Sequence, residues 1–77
     1  MLRIVGTTTA GHPVISGCYR FMETHGMPFD YLFDELNSRG MVPSIAHLLD
    51  EAQAAGANVE RISERVMLAY RDVYESP

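Results

Sequence analysis

The chain has 77 residues, 47% hydrophobic and 21% charged, with a formal net charge of −4. That size and composition describe one small folded domain and exclude a disordered chain, a multidomain enzyme and a large active-site cleft. All six basic residues are arginines, set against ten carboxylates, a balance poorly suited to non-specific nucleic-acid binding and devoid of the lysine that Schiff-base or Walker chemistry needs.

The opening stretch, 1–12, reads as an extended N-terminal arm or short strand, with Leu2 and Ile4 ahead of Thr7, Thr8 and Thr9. Residues 13–77 read as helical. A first helix is predicted from Pro13 to His25: proline suits a first helical turn, and Val14, Ile15, Cys18, Tyr19 and Met22 fall on one face. A second runs from Pro28 to Ser38, with Phe29, Leu32, Phe33 and Leu36 as its apolar stripe and Asp30 in the first turn, where the helix dipole favours a carboxylate. A third runs from Pro43 or Ser44 to Ala55 and buries Ile45, Leu48, Leu49 and Ala52. The fourth follows Asn58, a good N-cap, and carries Val59, Ile62, Val66, Tyr70 and Val73 inward. Gly26, Gly40 and Gly56 follow these segments as helix stops. Leu32-Phe33-Asp34-Glu35-Leu36 stands before Gly40 as Leu48-Leu49-Asp50-Glu51-Ala52 stands before Gly56. Two units fall short of a solenoid, so the echo reads as two ordinary amphipathic helices.

The expected fold is therefore all-α: a small four-helix domain with a short extended N-terminal arm. Its predicted core is Ile15, Tyr19, Met22, Phe29, Leu32, Phe33, Leu36, Ile45, Leu48, Leu49, Ile62, Val66, Tyr70 and Val73. A domain of this size buries only about 60–65% of the surface of its unfolded chain, so a homo-oligomer would add stability.

Catalytic and metal-binding patterns are weak. His12, Cys18 and His25 lack a fourth ligand, and on a helix Cys18 and His25 stand two turns apart, about 10 Å, too far for one ion. Cys18 lies on the apolar stripe, where burial raises a thiol pKa. The serines show no nucleophile elbow. Asp34–Glu35 and Asp50–Glu51 are adjacent pairs that point apart on a helix and read as solvated faces. The Gly6–Gly11 run lacks the lysine and spacing of a phosphate loop. No catalytic residue, metal or cofactor is assigned, and an enzyme is not expected.

The last helix carries the candidate binding residues. Arg61, Arg65, Leu68 and Asp72 share the face opposite the core stripe. Two arginines at i, i+4 repel mildly, so this face is more charge-segregated than helix stability requires. Arginine beside an apolar side chain matches the composition of binding surfaces. Tyr70 and Tyr74, with Met67, form a second ridge beside the core stripe. The binding residues expected are Arg61, Arg65, Leu68, Tyr70 and Tyr74.

The segment from Leu48 to Val66 also resembles a helix-turn-helix, with Ala52, Gly56 and Ile62 at its small, turn and branched positions and Asn58 capping the second helix. Gly40-Met41-Val42-Pro43-Ser44 resembles the loop entering that motif in winged-helix repressors. Glu51 stands where the pattern has an apolar residue, and Ala57 is weakly apolar for the turn.

The function expected is that of a small, acidic, non-catalytic protein-binding module, a regulator or inhibitor of a larger bacterial or phage assembly. The alternative is a helix-turn-helix-like DNA-binding regulator using the C-terminal helix. A protein is the expected partner, a second copy or DNA the further ones, and a membrane is not among them. A cytoplasmic location fits the single cysteine and the lack of a secretory signal pattern or of an apolar run near the ~18 residues of a membrane span.

Overall fold

The computed structural model describes residues 1–75. Two strands open the chain, β1 (Arg3–Thr7) and β2 (Pro13–Ser16), paired antiparallel with a bulge between Ile4 and Gly6. The turn between them closes on Thr8, whose backbone N–H donates to the His12 carbonyl at 2.8 Å and whose hydroxyl accepts from the His12 N–H at 3.0 Å. Helices α1 (Cys18–His25) and α2 (Phe29–Ser38) follow. A two-residue strand, β3 (Val42–Pro43), then pairs parallel with β2 and completes a sheet of order β1-β2-β3. Helices α3 (Ile45–Ala54) and α4 (Val59–Tyr70) end the fold, and α4 runs on as a π-helical segment, Arg71–Glu75.

The domain is thus α+β, which corrects the all-α expectation. The first predicted helix is in fact a strand followed by a shorter helix. Pro13, Val14, Ile15 and Ser16 form the central strand, and the helix starts only at Cys18. The residue between them, Gly17, adopts φ +86°, and a Cβ there would collide with the Met1 carbonyl. A glycine is required to turn the chain from strand to helix under β1. The apolar spacing misled because a strand running into a helix also directs Ile15, Cys18, Tyr19 and Met22 inward. One of the strand's two partners, Val42–Pro43, lies far downstream, where no local pattern announces it.

The other helices begin and end on the predicted signals. Ser44 caps α3, its Oγ accepting the His47 N–H at 3.4 Å, and Asn58 caps α4, its Oδ1 accepting the Arg61 N–H at 3.2 Å. Helix α4 reaches Tyr70, as its unbroken stripe requires. Gly40 and Gly56 end α2 and α3 alike: each glycine N–H bonds back three residues, and the next N–H, of Met41 or Ala57, bonds to the carbonyl of Leu36 or Ala52. The sequence echo is therefore a repeated helix ending.

The core lies between the sheet and the helices. Ile15, Tyr19, Met22, Leu32, Phe33, Leu36, Leu48 and Val66 are buried as predicted. Phe29, Ile45, Leu49, Ile62, Tyr70 and Val73 are half-buried around them. Cys18 and Ala52, on the faces expected to be buried, are fully buried, and Ala69 of α4 joins them.

Candidate functional site

The exposed face of α4 is built from the cap outward. Asn58 fixes the first turn, so Arg61 and Arg65 project from successive turns, both exposed, and Leu68 follows at 64% exposure. Among the described residues the one ion pair is Arg39–Glu35, at 3.8 Å on α2. No carboxylate therefore holds Arg61 or Arg65 within ion-pair distance, although Glu60 and Glu64 are neighbours on the same helix. Arg65 and Leu68 form one wall of an open cleft of about 410 Å³. Its other walls are Met22, Met27 and Phe29 from α1 and the turn into α2, with Asp30 and Asp72 at its edges. The result is an apolar floor with separated positive and negative groups around it. Apolar area with charged groups at its edges is a composition that binding surfaces share.

Tyr70 and Tyr74 occupy a different side of the helix. Their rings stack at 4.8 Å, and Tyr70 meets Phe33 edge-on at 6.5 Å. The Tyr74 hydroxyl donates to the Met41 carbonyl at 2.7 Å, with the Phe33 carbonyl at 3.3 Å. Burial, with Tyr70 close by, pushes the Tyr74 phenol above its usual range. These two tyrosines tie the end of α4 to α2 and to the loop before β3. The structure thus separates the candidate residues into an outward group, Arg61, Arg65 and Leu68, and an inward pair, Tyr70 and Tyr74.

The histidines and the cysteine stand apart. Cys18 is fully buried, and burial, with Glu51 nearby, pushes its thiol up to about 12. His12 Nδ1 lies 3.0 Å from the Gly40 carbonyl, and the His25 ring packs on Phe21 at a centroid distance of 4.3 Å. Among the described residues no group of three or more His, Cys, Asp or Glu side chains converges as a metal site. Ser44 Oγ and His47 Nδ1 are hydrogen-bonded at 2.6 Å, but Ser44 is buried at the N-cap of α3 and already accepts the His47 N–H. Ser44 is a helix cap, with the His47 ring bonded to the same hydroxyl.

Two features escaped the sequence. Glu51 is not a solvated carboxylate: its two oxygens accept the backbone N–H groups of Gly17 at 2.9 Å and Arg20 at 3.4 Å, capping α1 from α3. No local signal marks it, because the cap comes from a distant helix. The second is the free edge of β1, where Ile4 and Val5 are exposed; the paired β-branched residues were the available signal. No helix is long and apolar enough to cross a membrane among the described residues. Comparison with protein families, with curated proteins and with solved structures returned no match.

Proposed function

We propose that the chain is a small non-catalytic protein-binding module that engages its partner through the outward face of α4. The observation that carries this reading is the pair of exposed arginines, Arg61 and Arg65, which have no carboxylate partner among the described residues, beside the exposed Leu68 and its apolar cleft. Arginines kept for folding bind a carboxylate or lay their stems on the core; these are presented to solvent next to an apolar side chain. A role as regulator or inhibitor of a larger assembly fits so small a body with no catalytic constellation. A cytoplasmic setting, bacterial or phage, belongs to the same reading and is supported by the lone reduced cysteine and the lysine-free, arginine-only composition. The test is affinity capture from the source cell with wild-type protein and with Leu68→Glu, the captured chain being identified by mass. A partner retained by wild type and lost by the variant supports the module; equal capture removes this face.

The α3–α4 hairpin supports a second reading, DNA binding, because Asn58 caps α4 in a way that projects Arg61 and Arg65 as a recognition helix would. A mobility shift with bulk DNA separates the two. Binding that weakens steeply with salt favours DNA, and no shift at low salt favours the protein partner.

A further inference from the structure

The outward face of α4 is polarised along its length. Arg61 and Arg65 stand at one end, Leu68 in the middle and Asp72 at the other, all exposed. Asp30 of α2 borders the same cleft as Asp72, and both line an adjoining hollow with Asp34, so negative charge gathers at that end. None of these charged side chains is in an ion pair among the described residues. Positive charge, apolar surface and negative charge thus follow one another in order, with neither sign cancelled. The occupant that complements this strip carries the same three parts in reverse order. A second copy turned about a two-fold axis presents that reverse order, because the rotation exchanges the two ends.

We infer that α4 packs antiparallel on α4 of a second copy, about a two-fold axis midway between Leu68 and Ala69. The register follows from the residues that line the cleft, Arg65, Leu68, Ala69 and Asp72. The point midway between Arg65 and Asp72 along the chain is also midway between Leu68 and Ala69. One rotation therefore sets Arg65 opposite the copy's Asp72, twice over, and lays each Leu68 on the copy's Ala69. Ala69 is small and 8% exposed, so it leaves room for the incoming Leu68, which is 64% exposed in the single chain. Leu68 then meets the apolar floor of Met22, Met27 and Phe29. In this register the directly opposed positions from Ile62 to Glu75 include one charged pair, Arg65 with Asp72, and its signs are opposite. Arg61, one turn or about 6 Å beyond Arg65, and Asp30, beside Asp72, strengthen the two charged ends. An apolar centre ringed by charge is the ordinary anatomy of an interface. The inference rests on the reading of the α4 face as a binding surface, and it names a second copy as what covers it. Any other partner must displace that copy.

The experiment is sedimentation equilibrium from about 1 µM to about 1 mM, bracketing the affinities of small interfaces, on wild type, Arg65→Asp, Asp72→Arg and an equal mixture of the two variants. Either variant alone sets like charges against each other at both ends of the pair; in the mixture both ends again hold opposite charges. Self-pairing predicts a wild-type dimer that weakens as salt rises, at least about tenfold weaker in each variant, with the mixture restored to within about threefold of wild type. Isotope-filtered NMR on mixed labelled and unlabelled wild type needs no variant, and should show Leu68 of one copy in contact with Ala69 of the other. A wild type monomeric throughout overturns the proposal, as does a dimer that lacks this contact, a dimer that both variants leave intact, or a mixture no better associated than its components. Capture from the source cell separates the two levels of the reading. A monomeric wild type that captures a chain lost by Leu68→Glu overturns self-pairing and keeps the α4 face as a binding surface; a monomeric wild type whose capture Leu68→Glu leaves unchanged overturns both.

Discussion

The side chain of Glu51, in the middle of α3, accepts the backbone N–H of Gly17, the residue immediately before α1, at 2.9 Å. Gly17 has no side chain to cap its own helix, so the cap comes from α3, which follows α2 and β3 along the chain. Removing it with Glu51→Ala leaves donors at the start of α1 unpaired beside a buried core. The expected cost is about 1–2 kcal/mol, read from urea unfolding, with Glu51→Gln retaining part of it because the amide oxygen still accepts. Equal stability in Glu51→Ala and wild type would show that the contact carries no energy.

Gly17→Ala tests the same junction from the other side. Its φ of +86° costs an L-residue about 1–2 kcal/mol, and the added Cβ must also displace the Met1 carbonyl. We expect a loss above about 2 kcal/mol, with the hairpin amides of β1 and β2 exchanging faster than those of α4 in the same variant.

Leu48 is fully buried and Leu32 nearly so. Leu32→Ala and Leu48→Ala should each cost about 2–4 kcal/mol through lost contacts and the cavity left behind. A domain this small holds on the order of 5 kcal/mol in reserve, so either variant melts close to ambient temperature. Ile4→Ala, on the open side of the sheet, should cost under about 1 kcal/mol in dilute solution.

Cys18 makes stability fall at high pH. Its folded pKa of about 12 lies above the ordinary value of 9.0 because burial disfavours the thiolate. Below 9.0 both folded and unfolded chains hold the proton, and stability does not depend on this group. Between 9.0 and about 12 the unfolded chain loses the proton and the folded chain keeps it. Unfolding then releases a proton, and stability drops as pH rises, by at most roughly 1.4 kcal/mol per pH unit from this group. Tyr74, raised in the same direction, adds to the slope. Cys18→Ala should flatten the decline between pH 9 and pH 10.5, and the native thiol should resist aromatic disulfide reagents at pH 8 until the chain unfolds.

Much of the helical part was legible because its signals are local. Ser44 and Asn58 cap the helices they precede, Gly40 and Gly56 close the helices they follow, and the stripes of α2, α3 and α4 bury the residues their spacing selects. Of the sheet, β1 was legible as a short strand in the opening stretch, but its hairpin partner β2 was not, because the apolar spacing around Val14 and Ile15 also suits a helix and β3 lies far downstream. Cys18 and Ala52 are buried on the faces their spacing selected; Ala69 is the small core residue that the stripe of α4 did not name. Of the binding residues, Arg61, Arg65 and Leu68 stand outward as helical geometry required. Tyr70 turns inward on the core stripe of α4, as its spacing required, and Tyr74, in the π-helical segment that follows, reaches the Met41 carbonyl.

The outward face of α4 is tested most directly by titrating the captured partner, in a calorimeter, into wild type and into Arg61→Ala/Arg65→Ala. Exposed, and without an ion-pair partner among the described residues, the two arginines contribute little to folding, so the double variant should unfold within roughly 0.5 kcal/mol of wild type. Its affinity for the partner should fall by about 30-fold or more, the effect of removing a central interface arginine. Wild-type affinity in a correctly folded double variant would contradict the assignment of this face.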